Sequence, residues 1–189
     1  MTRAVLINGV PASGKTTVAR AVGERLDAPV LTLDAVKEVL FEELGHRDAD
    51  RAWGRVLGRA SLRSIWALVA GFPPDALVVV EAWFRLPPHD PVLTGLTQAG
   101  VGRWVEVWCH ADPDVLAARY AARQRAPGHP APEDYVDELR ALAGRALPMA
   151  LSPVLDVDTT EFATVDLDAI ARWVADQLPP GGDHREQQR

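Results

Sequence analysis

Gly9-Val10-Pro11-Ala12-Ser13-Gly14-Lys15-Thr16-Thr17 decides the reading of this chain. Glycine, four residues, then Gly-Lys-Thr is the spacing of a phosphate-binding loop. The apolar run Ala4–Ile7 before it predicts a strand over 3–8, and the stretch after it carries Val18, Val22 and Leu26 on one helical face. The glycines let backbone N–H groups converge on phosphate oxygens with no side chain in the way. The helix that follows turns its positive end toward the same anion. Lys15 would reach the outer phosphates as a point charge, and the Thr16 hydroxyl would hold Mg²⁺. The nucleotide-binding set is therefore Gly9, Pro11, Ala12, Ser13, Gly14, Lys15, Thr16 and Thr17. A glycine turn before an ordinary helix would leave the lysine unexplained.

Outward from the loop, apolar runs alternate with helical spacing. Strands are expected at 29–33, 76–80, 104–109 and 154–157. Helices are expected at 36–44, 50–70, 91–99, 113–125, from 132, and at 166–178. Asp112-Pro113 reads as an N-cap with proline at the first helical position. Ala76 to Val80 is continuously apolar, as a strand buried on both faces would be. Strands alternating with helices predict an α/β fold with a parallel sheet covered on both faces and right-handed crossovers. Ligands in such sheets gather beyond the carboxyl ends of the strands. The polar residues collect at that rim: the glycine loop, Asp34, Glu81 with Trp83, and Asp158-Thr159-Thr160.

The 189 residues suit one domain, expected over 1–178, with a disordered tail over 179–189. A net charge of −6 and a pI near 5.3 argue against a nucleic-acid partner held by a basic surface. Cys109, the single cysteine, lies in an apolar run and reads as core. No apolar run reaches membrane-spanning length, and the chain enters a strand directly, so no membrane association, no signal peptide and a cytoplasmic location are expected.

Asp34, directly after the second strand, is placed to accept the proton of an attacking hydroxyl or to cap the helix starting at Ala35. Glu81 ends the third strand, where an acidic residue holds Mg²⁺ through water or touches the substrate. Lys37, Trp83 and Arg85 join Asp34 and Glu81 on the expected substrate side. Arg119 and Arg123 are four apart on a predicted helix, hence on one face, with Arg125 behind them. Arginines arriving with a mobile lid, here Ala126–Pro130, would stabilise a migrating phosphoryl group. Their alternative is a solvated basic face. Arg51, Arg55, Arg59 and Arg63 form a second stripe, which lines an anionic substrate or pairs with Glu38, Glu42 and Glu43 at the surface. Trp53, Trp66 and Trp83 are core or pocket wall. Thr159 follows the last strand, where adenine packs in this architecture.

With these residues placed, the chain resembles the small P-loop kinases, the neighbourhood of zeta-toxin, chloramphenicol phosphotransferase and gluconate kinase, often labelled AAA-family ATPases of the kinase type. The likeness rests on Gly9–Thr17, Leu31–Lys37, Val78–Phe84, and Arg119–Arg123 with Pro127-Gly128-His129, and runs to about residue 175. It implies a P-loop NTPase three-layer sandwich with a five-stranded parallel sheet, order 2-3-1-4-5, and a helical lid near 119–135. It implies ATP and Mg²⁺ as cofactors and transfer of the γ-phosphoryl group to a hydroxyl of a small molecule. Asp34 then matches the family's catalytic base, and Arg119 and Arg123 its lid arginines, with Lys15 completing the catalytic set. The acceptor does not carry over, because 38–75 resembles no family of named acceptor. The glycine loop also departs from the chloramphenicol enzymes. A polynucleotide 5′-hydroxyl kinase would use the same parts with a basic channel. An ATPase switch would use them with no acceptor.

Overall fold

The structure, a computed structural model, describes residues 1–45, 51–123 and 130–180. The chain runs β1 (Thr2–Asn8), α1 (Lys15–Arg25), β2 (Val30–Thr32), α2 (Leu33–Leu44), α3 (Arg51–Ala70), β3 (Leu77–Ala82), α4 (Asp90–Gln98), β4 (Val101–His110), α5 (Pro113–Ala122), α6 (Pro132–Ala143), β5 (Val154–Asp158) and α7 (Leu167–Gln177), with a 3₁₀ turn at Phe162–Thr164. The five strands are parallel and ordered β2-β3-β1-β4-β5, as expected.

Strand alternation builds the layers. Successive side chains point to opposite faces. Val5 and Ile7 therefore join Val79, Val105, Val107 and Cys109 in a core closed by α1 and α7. Ala4 and Leu6 join Val78, Val80 and Ala82 in a second core, closed by Ile65, Trp66 and Val69 of α3 and by Val92 and Leu96 of α4. Both faces of the central strands are buried, which is why their sequences are nearly all apolar. A third cluster joins Leu116 and Tyr120 of α5 and Leu139 of α6 to Val10 beside the glycine loop, with Ala12 and Trp83 packed against it. The α5–α6 hairpin is thereby seated on the loop.

Several boundaries differ from expectation. The second strand is only Val30–Thr32, and α2 starts at Leu33 with Thr32 at its N-cap. Asp34 therefore lies within the first helical turn and is not the cap. There its charge complements the helix dipole. The fourth strand is longer than expected, Val101–His110, because Val101 and Arg103 pair with Thr2 and Arg3 of β1 across an irregularity at Gly102. The arginine-bearing helix stops at Ala122, and Arg123 is extended, with φ −91° and ψ 124°. The Asp112 cap holds: its carboxylate accepts from the N–H groups of Asp114 and Val115. The loop 126–130 lies outside the described residues except for Pro130, Arg125 lies outside them entirely, and so does the tail from 181.

A polar network missed by the sequence reading crosses the sheet. The Glu106 side chain, fully buried in β4, accepts from Asn8 Nδ2 at 2.7 Å and from the N–H groups of Met149 (3.0 Å) and Ala150 (3.1 Å). Asn8 Oδ1 accepts from the N–H of Gly9 (2.8 Å) and of Phe84 (3.2 Å). One pair of side chains thus fixes where the glycine loop leaves β1 relative to where the chain leaves β3. Glu106→Gln presents an amide NH₂ to a buried N–H donor. A donor left without its acceptor costs about 1–3 kcal/mol, so the urea midpoint should fall with the slope unchanged. An unmoved midpoint would mean that the network adds nothing to stability.

Candidate active site

The glycine loop rises from the end of β1 at the sheet centre and turns into α1 at Gly14, whose φ of 75° and ψ of 0° suit glycine. A Cβ there would also stand 2.9 Å from the Phe162 ring. At Gly9 a Cβ would sit 2.3 Å from the Cys109 carbonyl oxygen and 2.4 Å from Ser13 Oγ, so the backbone passes where no side chain fits. Ala12 holds a positive φ of 67° without being glycine, the kind of backbone strain that collects at ligand-binding turns. The Ser13 hydroxyl is buried and has no hydrogen-bond partner among the described residues. A buried polar group left unsatisfied on a glycine-rich loop at a helix N-terminus fits an anion cradle. Pro11 and Ala12 are half-buried on the loop, and Thr16 and Thr17 follow Lys15 on the first turn of α1, Thr17 exposed.

Lys15 is nearly buried, and its Nζ lies 3.4 Å from Glu81 Oε1, with side-chain exposures of 9% and 2%. Register explains the contact: Ile7 in β1 pairs Glu81 in β3, so the carboxylate stands beside the strand that launches the loop. Glu81 is inside β3, one residue from its end, and not at an exposed strand end. Burial pushes its carboxyl above the ordinary carboxylate range, the Lys15 ammonium opposes that, the Asp34 carboxylate adds to it, and Arg123 works against it. Lys15, Glu81, Asp34 and Arg123 therefore share one electrostatic neighbourhood. Asp34 and Arg123 are exposed to solvent, and neither makes an ion pair among the described residues.

The loop after β5 is tied to the glycine loop by one threonine. Buried Thr159 Oγ1 lies 3.1 Å from the Ser13 carbonyl oxygen and 2.9 Å from that of His110, and its hydroxyl donates to this pair. Arg119, half-buried, donates to the carbonyl oxygens of Thr159 (2.7 Å) and Thr160 (3.1 Å). It is therefore bound to the loop after β5 and does not share a helix face with Arg123. Of the residues expected on the substrate side, Lys37 is half-buried in α2, one turn from Asp34. Trp83 is half-buried, its ring centroid 6.0 Å from that of Trp108. Arg85 is exposed, with a positive φ of 69°.

The other residues separate cleanly. Trp66 is core, and Trp53 donates to the Gly45 carbonyl oxygen. Arg51 pairs with Glu138 Oε2 of α6 at 2.6 Å, not with the glutamates of α2. No helix among the described residues is long and apolar enough to cross a membrane, and none of their His, Cys, Asp and Glu side chains gather as a preformed metal cluster. Cys109 is fully buried, and burial pushes its thiol up to about 12. Iodoacetamide at about pH 8 should leave the native protein unlabelled and label it fully in urea, since the thiolate is the nucleophile. Rapid labelling of the native chain, read by mass spectrometry, would place Cys109 at an accessible site.

Comparison with known proteins agrees with this geometry. A family model described as an AAA domain, AAA_33, matches residues 5–145. No curated protein matches the chain. A solved structure of a presumed kinase from Chloroflexus aurantiacus is 31% identical, with a TM-score of 0.81 over 94% of this chain and 98% of that one. Shikimate kinase from Bacteroides thetaiotaomicron shares the fold at 21% identity and a TM-score of 0.59, over 93% and 97% of the two chains. The Mycobacterium tuberculosis APS kinase CysC, solved with AMPPNP and APS, shares it at 20% and 0.58, over 94% and 97%. The phosphate loop, the 2-3-1-4-5 sheet and these matches together place the chain in the AAA_33 family, as a member of the small P-loop kinases.

Proposed function

We propose that this protein transfers the γ-phosphoryl group of Mg·ATP to a hydroxyl of a small molecule. The observation that carries this reading is the buried Lys15–Glu81 pair at the mouth of the glycine loop, with Asp34 and Arg123 in its field. A lysine and a carboxylate at that depth serve no packing purpose. They fit a site where phosphate arrives beside Lys15 and a cation or a hydroxyl beside Glu81. The similar solved structures described as kinases support the reading, and the net charge of −6 weighs against a polynucleotide acceptor.

The roles follow from position. The loop N–H groups and Lys15 bind the phosphates. Thr16 and Glu81 would hold Mg²⁺, which neutralises charge on the outer phosphates when bound. Asp34 takes the proton of the acceptor hydroxyl as its oxygen bonds to the γ-phosphorus and the bond to the β-phosphate oxygen breaks, releasing ADP. Thr159 and Arg119 shape the nucleotide side. Arg123 has no partner among the described residues and is free to meet the migrating group.

ADP release from Mg·ATP with hydroxylated acceptors tests this. Lys15→Ala should lower turnover by about 10²–10³, the loss seen on removing one preorganised donor. Asp34→Asn should keep nucleotide affinity and lower turnover by roughly 10²–10⁴. Full turnover in folded Lys15→Ala would sink the reading. The two arginines should also separate. Arg123→Ala should lower kcat with little change in the KM for ATP. Arg119→Ala should chiefly raise that KM, because it releases the loop beside the nucleotide. The opposite pattern would reverse their assignments.

A further inference from the structure

Glu106 is a fully buried carboxyl that the proposed phosphoryl transfer does not use. It interrupts a buried stretch of β4 that is otherwise apolar, Val105 with Val107, Trp108 and Cys109, and it lies in register with Leu6 of β1. No Lys or Arg pairs with it among the described residues. Apolar residues of similar size often replace buried charge at no cost in stability, so stability alone does not account for a carboxyl here. Its partners do. Oε1 accepts from Asn8 Nδ2 and from the Met149 N–H, and Oε2 accepts from the Ala150 N–H. Successive backbone N–H groups that converge on one anion form a nest. Ala150 holds a φ of 53° without being glycine, a conformation that persists only where the surroundings fix it. The carboxyl therefore sets the course of the chain where it returns from α6 toward β5.

Through Asn8 the same network reaches the N–H of Gly9, the first residue of the glycine loop, and that of Phe84, just past β3 and next to Trp83. Gly9 is pressed against β4, since a Cβ there would stand 2.3 Å from the Cys109 carbonyl oxygen. The start of the glycine loop, the exit of β3 and the return from the α5–α6 hairpin thus hang on one carboxyl. That hairpin carries Arg119 in α5 and Arg123 at the end of α5. We infer that Glu106 is a positioning residue that couples the glycine loop to the return of this hairpin, so that filling the loop with phosphate tightens the chain at Met149 and Ala150. Being fully buried, it acts through Asn8 and not on the ligand. Its catalytic consequence rests on the kinase reading. A loosened link leaves the nucleotide bound but misplaced against the groups that exit β3, and a displacement of about 1 Å can cost on the order of 10² in rate.

Residue-resolved amide hydrogen exchange, followed by ¹⁵N NMR, reads the coupling without any turnover. In the wild type, Mg·AMPPNP should slow exchange at Met149 and Ala150 by about fivefold or more, the low end of ordinary coupling between sites. In Glu106→Gln the nucleotide should still slow exchange in the glycine loop but leave Met149 and Ala150 unchanged. A role confined to stability would speed their exchange with and without nucleotide alike and keep the ratio. Asn8→Ser cuts the link at its other end and leaves the carboxyl both backbone donors. It should lose the nucleotide effect too, and it decides the matter if Glu106→Gln does not fold. Steady-state rates give a second readout: Glu106→Gln should lower kcat about tenfold or more and hold the KM for ATP within about threefold. No slowing at Met149 and Ala150 in the wild type overturns the inference, as does slowing that survives either variant or an unchanged kcat in Glu106→Gln. A wild type that transfers phosphate to no acceptor defeats the kinase reading instead, and the exchange result then decides this inference by itself.

Discussion

The contact on which this molecule turns is the ion pair between Lys15 and Glu81. Two charges with side-chain exposures of 9% and 2% face each other at 3.4 Å where the central strands end. Removing both from water is expensive, and their attraction repays it only in part. The pair persists because each member is fixed by an element that the fold needs anyway, Lys15 by the first turn of α1 and Glu81 by the ladder to β1. Phosphate oxygens offer Lys15 stronger acceptors than one carboxylate does. On the proposed reading, their arrival would release Glu81 to face a cation or an acceptor hydroxyl and so couple nucleotide binding to the readiness of the other half of the site.

Around that pair the molecule is braced on both sides. Asn8 and Glu106 fix the start of the glycine loop against the exit of β3. Thr159 ties the loop's Ser13 carbonyl to the end of β4. The α5–α6 hairpin rests on Val10 and Ala12 through Leu116, Tyr120 and Leu139, and Arg51 joins α3 to α6 through Glu138. Rigid support of this kind holds donors where charge develops, which is where electrostatic catalysis gains most.

Much of this was legible in the sequence, for physical reasons that can be named. The glycine loop announced itself because few residue patterns satisfy a tight turn, a close approach and a lysine together. Buried parallel strands announced themselves as apolar runs, and alternation with helices gave the sheet. What stayed hidden depended on tertiary contact. Asp34 fits a cap as well as a base on sequence alone, because a two-residue shift of the helix start leaves no trace in composition. Arg119 and Arg123 looked alike because nothing local revealed that the helix stops between them, or that Thr159 and Thr160 claim the first. Glu106 was invisible in its apolar run, although a lone glutamate between Val105 and Val107 was itself the signal, since a carboxyl so placed must find buried donors. The arginine stripe on α3 is plain in the sequence, but the approach of Gly58 to Arg85 depends on tertiary packing.

The most direct test of the central claim is ³¹P NMR of the protein incubated with Mg·ATP and hydroxylated small molecules, neutral and anionic. The account predicts a new phosphate monoester resonance growing in step with ADP, with little inorganic phosphate. ATP turned over to inorganic phosphate alone, or left unchanged with every acceptor, would contradict it.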